Sequence, residues 1–155
     1  MTWKEKERNK YPDIILSDCV ITNIQVEGTE ITVEFSEYGF VKKDSQRNKY
    51  FRTDTAQIVI EQCDIDNVFV KEIRTQRLSE DVYFDSMYDI EFSIFLENVN
   101  TGKWKFEIVE EFYSAGGALY IGQIREGENT FWCHVKLQFK NLVYFWNKVR
   151  YDRPF

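Results

Sequence analysis

Little in this 155-residue chain is chemically reactive. It has one histidine, and its three cysteines, Cys19, Cys63 and Cys133, lie far apart with no CxxC spacing. That pattern encodes neither a disulfide framework nor a zinc knuckle, and it leaves three reduced thiols as the expectation. With no HxH or HxxxH pair either, no metal site and no cofactor are expected. Gly116, Gly117 and Gly122 belong to no phosphate loop, because GxxxxGK[ST] is absent, so turn and bulge roles suffice. Asp81, Asp85 and Asp89 are spaced by four but lack the alternation and glycine of a calcium-binding EF-hand. Two prolines and seven glycines leave no room for a low-complexity linker, and there is no internal repeat.

Long apolar runs are missing too. Nothing approaches the ~18 residues of a membrane span. The opening MTWKEKERNKYPD is charged where a signal peptide would be apolar, so the expected location is cytoplasmic and no membrane partner is expected. Twenty basic against twenty-six acidic residues give a net charge of −6. Such a balance disfavours a charge-driven interface with nucleic acid.

What is abundant is aromatic and β-branched. Thirteen Phe, nine Tyr and four Trp accompany many Val, Ile and Thr, a composition suited to pleated, half-buried surfaces. A charged arm over residues 1–12 precedes a single β-rich domain over 13–155. Ile14 to Val26 reads as a strand that turns at Gly28-Thr29 into ITVEFSEYGFV. Residues 42–52, KKDSQRNKYFR, have no apolar period and read as a loop before the strand AQIVIEQCDI. NVFVKEIRTQRL is strand-like, whereas 79–89 is open between a loop and a short helical turn. In YDIEFSIFLE, Ile90, Phe92, Ile94 and Leu96 share one face, which predicts a half-buried strand. A turn at Thr101-Gly102 would join it to KWKFEIVEEFY as a hairpin. SAGGA and REGEN then connect LYIGQI and TFWCHVKLQF into a four-strand meander. Residues 140–151 fit a strand better than a helix. Eight or nine strands with short turns must hide their edges, so the fold class is mainly β, a single-domain antiparallel barrel or two-sheet sandwich with a C-terminal hairpin meander.

Candidate sites follow from alternation. In FWCHVKLQF, Cys133 falls with the apolar set Phe131, Val135 and Leu137, and His134 falls with Trp132 and Lys136 on the opposite face. A nucleophile and its base need hydrogen-bond reach, so this neighbouring pair is not a dyad. Strict alternation places Glu110 on the face of Trp104, Phe106, Ile108 and Phe112, unless the strand bulges at Val109-Glu110-Glu111 and leaves both glutamates in solvent. Asp18 poses the same question between Leu16 and Val20. Asp18, Glu110, Tyr120, Trp132 and His134 are therefore the candidate ligand-binding residues, with Tyr144 a further aromatic; no catalytic residue is assigned.

Charge is distributed unevenly. Residues 42–52 carry five basic groups against one acid, and residues 80–111 carry nine acids against two lysines. Either stretch could steer a protein partner. The leading expectation is a non-enzymatic protein that binds another protein through its acidic face, like small bacterial inhibitor or immunity proteins in general character only. The alternative is a carrier of a small apolar or aromatic ligand in an aromatic-lined cavity, with Glu110 or Asp18 as polar anchor. A third is an enzyme whose site is assembled from distant strands.

Overall fold

The structure is a computed structural model and describes residues 2–155. Its first strands are β1 (Glu5–Arg8), β2 (Ile14–Ile15), β3 (Cys19–Glu27), β4 (Glu30–Phe35), β5 (Val41–Asp44), β6 (Lys49–Thr53) and β7 (Ala56–Glu61). A 3-10 turn at Ile65–Asn67 leads to β8 (Phe69–Ser79), β9 (Val82–Ile90) and the helix α1 (Phe92–Asn100). The chain ends with β10 (Lys105–Ser114), β11 (Gly117–Glu126), β12 (Asn129–Gln138), β13 (Asn141–Trp146) and β14 (Val149–Pro154).

Ten strands form one antiparallel sheet in the order β1-β13-β7-β4-β3-β10-β11-β12-β8-β9, and four form a second in the order β14-β6-β5-β2. Neither closes, so the molecule is a two-sheet β sandwich. The large sheet is strongly curled. β7 and β12 stand five places apart in it, and a flat sheet would hold them about 24 Å apart. Yet Ile58 of β7 and Leu137 of β12 line the same small void, with Phe92 and Phe95 of α1 across its mouth. The helix fills the concave side, and the side chain of Asn100 at its end grips β3: Ile24 N–H donates to Asn100 Oδ1 (2.7 Å), and Asn100 Nδ2 donates to the Ile24 carbonyl (2.8 Å).

α1 replaces the strand and hairpin expected over 89–113. Both periods are present in that sequence, because Phe92, Phe95, Leu96 and Val99 also repeat at helical spacing. The helix wins by burying Phe95 and Val99 completely, while Ile94, central to the alternation, stays exposed. Consequently the meander has three strands, β10-β11-β12, with turns where expected: Ser114 pairs with Gly117, and Glu126 with Asn129. The hairpin at Gly28-Thr29 also forms, with Glu27 opposite Glu30.

Two further segments differ from expectation. Residues 42–52 form the β5-β6 hairpin, and 79–89 are mostly β9. Both lack a continuous apolar face of their own, so backbone pairing rather than side-chain period sets their conformation. These additions, with short β1 and β2 and the division of the strand expected over 140–151 into β13 and β14, account for fourteen strands in place of eight or nine. Residues 5–8 of the charged start pair with β13 at the sheet edge.

Phe40 joins the two sheets. Its fully buried ring meets Tyr144 and Trp146 of β13 edge-on, with centroids 5.7 and 5.8 Å away, and Phe35 of β4 at 6.3 Å. Offset edge-to-face contacts of this kind add to simple area burial. The preceding Gly39 has φ +56°, and a Cβ there would lie 2.0 Å from both the Asp54 carbonyl and Thr53 Oγ1. Thr53 is itself buried, accepting from Phe40 N–H (3.1 Å) and donating to the Asp54 carbonyl (2.9 Å). Gly39→Ala therefore combines left-handed strain with overpacking against backbone, and is expected to cost roughly 2–4 kcal/mol. Urea unfolding monitored by tryptophan fluorescence checks this; an unchanged midpoint would mean that the turn does not pack as described.

Candidate functional site

The junction between the sheets is polar inside. β10 pairs in register with β11 up to Ile108 opposite Gly122, then resumes with Glu110 opposite Ile121. The bulge leaves Val109 over and reverses the inward phase of the strand. Glu110 and Phe112 thus point outward, and Glu111, only 6% exposed, points inward. The bulge agrees with the expectation, but the expected solvent exposure of both glutamates does not hold, because Glu111 is taken inside. Alternation across an irregular point cannot say which of two adjacent acids is taken in, and the signal for Glu111 was its polar neighbour Tyr113 two residues on.

Glu111 Oε2 accepts hydrogen bonds from the backbone N–H of Leu16 and of Ser17, each at 2.7 Å, and from Ser17 Oγ at 2.9 Å. Its other oxygen accepts from Tyr113 Oη at 2.9 Å. Four donors surround a group that in its ionised form only accepts. Burial nevertheless lifts this carboxyl above the ordinary glutamate range, against the pull of those hydrogen bonds from Tyr113, Ser17 and Leu16. Beyond Tyr113, Tyr120 Oη donates to Tyr113 Oη at 3.3 Å. Burial pushes the phenols of Tyr113, Tyr120 and Tyr144 well above their usual range, so all three remain protonated donors.

Of the five candidate ligand-binding residues, Tyr120 alone belongs to this cluster, and the further aromatic Tyr144 lies beside it. Asp18 is exposed at φ +62°; its N–H donates to the Ile108 carbonyl (2.7 Å) and its carbonyl accepts from Arg52 (3.2 Å). The left-handed residue breaks the alternation that would have turned its carboxylate inward. Glu110 is exposed on the convex face. Trp132 and His134 are on the convex face as well, opposite Ile73 and Lys71 of β8, while Cys133 is fully buried on the other side. His134 makes no hydrogen bond or ion pair with a carboxylate among the described residues, and partial burial lowers its pKa. Burial pushes the thiols of Cys19 and Cys133 up to about 12 and that of Cys63 to about 11, which leaves none of them a ready nucleophile. The void under α1 measures about 40 Å³, against the ~300 Å³ of small ligand pockets. The core is filled by side chains, with neither Asp18 nor Glu110 inside it.

The convex side and the far edge have a different character. From Arg74 to Asp89 the β8-β9 ribbon stands clear of the body, with only Ser86 partly covered. It carries six exposed large apolar side chains: Leu78 (64% exposed), Val82, Tyr83 (62%), Phe84, Met87 and Tyr88. Its basic groups are occupied within the ribbon. Arg74 pairs with Glu72 (2.8 Å) and lies over the Tyr88 ring (4.6 Å), Lys71 reaches Asp89 (3.7 Å), and Arg77 donates to the carbonyls of Ser79 and Glu80. The acids Glu80 and Asp81 at the tip form no ion pair among the described residues.

Three of the five basic groups of segment 42–52 are likewise engaged. Lys42 reaches Glu7 (3.8 Å), Arg47 pairs with Asp44 (3.1 Å) and lies over the Tyr151 ring (4.0 Å), and Arg52 lies over Phe155 (5.4 Å). No helix among the described residues is long and apolar enough to cross a membrane. Comparison with protein-family models, curated proteins and solved structures returns no match.

The raised Glu111 pKa has a defined consequence for stability. The folded protein holds this proton more tightly than the unfolded chain, whose glutamate titrates near 4.5. The contribution is therefore fully present below that value, is lost as pH rises through the folded pKa, and is flat above it. Glu111→Gln imitates the protonated acid and should remove this dependence. Denaturant unfolding of both proteins from about pH 4.5 upward is expected to show the wild type losing stability relative to the variant, and parallel curves would overturn the assignment.

Proposed function

We propose that the protein works by binding another protein through the β8-β9 ribbon, with the outer edge of β9 accepting an added strand. The observation that carries this reading is the contrast between the two ends of the large sheet. β1 ends it with EKER, four charged residues of the kind that discourage edge pairing, whereas β9 ends it with VYFDSMYDI, nine residues with no lysine and no proline. An unprotected edge of that length is a template for strand addition. A two-stranded ribbon exposed on both faces also buries too little to be self-sufficient, so its apolar side chains gain most from a partner.

Charge narrows the partner. β9 carries Asp85 and Asp89 and no basic residue, and the tip adds Glu80 and Asp81. A second copy pairing edge to edge would bring these acids together, while an extended segment bearing Lys or Arg would be attracted to them. The expected acidic face thus contracts to residues 80–89. The remaining acids of 80–111 are dispersed over α1, β10 and the interior.

A pull-down from native lysate at low ionic strength is expected to recover a protein whose capture falls at least tenfold in Phe84→Lys and Met87→Lys, and falls also with added salt. Both positions are exposed, so each variant should unfold within about 0.5 kcal/mol of wild type. Capture that is indifferent to both substitutions, or a concentration-dependent dimer of the isolated chain that they abolish, would overturn the reading.

A further inference from the structure

The ribbon has two unlike faces, and β9 shows them alternately along its free edge. Cross-strand pairs fix which residues share a face: Ile73 is opposite both Trp132 of β12 and Met87 of β9, and Lys71 is opposite both His134 and Asp89. Thr75 is opposite Asp85, to which its hydroxyl donates at 2.6 Å. Asp85, Met87 and Asp89 therefore stand on the convex side with Trp132 and His134. Between them, Phe84, Ser86 and Tyr88 stand on the other side, where Arg74 lies over the Tyr88 ring and pairs with Glu72, the residue opposite buried Cys133. Both acids of β9 are thus on one face, and the other face of the strand has none.

Across the convex side these pairs make rows. Met87, Ile73 and Trp132 form an apolar one that begins at the free edge, and both of its ends are exposed. On one side of it, Asp89 is met by Lys71 at 3.7 Å but keeps 86% of its side chain in solvent. On the other, Asp85 holds the Thr75 hydroxyl and makes no ion pair among the described residues. A strand added to the edge would place one residue at the end of each row. The two acids are four residues apart, ~13 Å at ~3.3 Å per residue, and any partner strand repeats that spacing. Partner positions i and i+4 can meet both acids, whereas i and i+3 cannot, because they point to opposite sides.

Resting on strand addition at β9, we infer that the partner's segment alternates in a fixed phase: Lys or Arg at positions i and i+4 against Asp85 and Asp89, a large apolar residue at i+2 extending the row of Met87, Ile73 and Trp132, and uncharged residues at i+1 and i+3 against Ser86 and Tyr88. Opposite charges and apolar pairs directly across a ladder each stabilise it, and like charges destabilise it. A second copy of this chain fails the pattern, since two β9 strands paired antiparallel about Met87 would set Asp85 against Asp89 twice. The acids select register as well as charge, because a slip of one residue turns every partner side chain to the wrong face.

The test uses the full chain and two peptides of one composition, nine residues long to match β9, built of valine and threonine with two lysines set either four or three positions apart. Titration followed by amide hydrogen exchange is expected to show saturable binding that protects β9, the four-apart peptide binding about tenfold tighter. Asp85→Lys should weaken that peptide about tenfold, and exchanging one or other of its lysines for glutamate should restore binding to the variant. Asp85 is exposed, so the urea midpoint of the variant should match wild type. Equal affinity for the two peptides, with both lost in Phe84→Lys, would overturn the phase and leave strand addition standing. Binding that leaves β9 unprotected, or protection of β9 by self-association without peptide, would overturn the phase and the reading beneath it. Absence of saturable binding by either peptide would overturn the inference alone, since capture of a whole partner tests that reading separately.

Discussion

A carboxylate taken out of water must be met by donors, and in this protein that requirement fixes the junction between the two sheets. Glu111 belongs to the large sheet, and the N–H groups that satisfy it belong to Leu16 and Ser17, two of the three residues between β2 of the small sheet and β3 of the large one. Leaving such a charge without donors costs several kcal/mol. The path of the chain there is accordingly narrow: both amides must face β10, and Asp18 must take a left-handed conformation to send the chain on into β3. The bulge at Val109 is the other half of the device. It stands where β3 and β10 stop pairing, at Cys19 and Ile108, so the strand changes phase just where a polar side chain has donors waiting.

The same phase change separates two kinds of aromatic. Before the bulge, β10 sends Phe106 into the core against Phe95, with centroids 5.5 Å apart. After it, Tyr113 points inward and meets Tyr120 edge-on at 5.9 Å, while Phe112 is turned out to the convex face. The result is an apolar core under α1 and a phenol-rich pocket wall at the sheet junction, both drawn from one strand. A regular β10 would have put Glu110 and Phe112 inside, with the acid far from the Leu16 and Ser17 amides and Tyr113 in solvent.

Much of this was legible where local chemistry decides structure. Gly28-Thr29, Ser114–Gly117 and Gly127 could be read as turns, and the alternation in FWCHVKLQF placed Cys133 inside and His134 and Trp132 outside. It was not legible where a distant partner decides. Residues 92–99 satisfy a strand period and a helical one together, and the concave side of a curled sheet chose the helix. β5, β6 and β9 show no apolar face because neighbouring backbones hold them, and the ribbon in particular has no core side along most of its length. Glu111 was passed over for Glu110 because period-two reasoning carries no information about where a ladder gains a residue.

The distribution of polarity finally bears on how the protein can act. Its most demanding polar group is inside, and a cluster of its largest apolar groups is outside on β8 and β9. Interiors normally exclude the first, and monomer surfaces normally limit the second. The interior exception closes on itself, since every oxygen of Glu111 has its donors, and it stops only at the Tyr144 phenol. The exterior exception does not close: Tyr83, Phe84 and Met87 are held in extended backbone, so pairing along β9 would order little further chain, while burying them would remove apolar area from water at about 25 cal/mol per Å². On the proposed reading, a partner adding a strand there would meet backbone already extended in β9, so that extended geometry as well as the charge beside it would favour pairing.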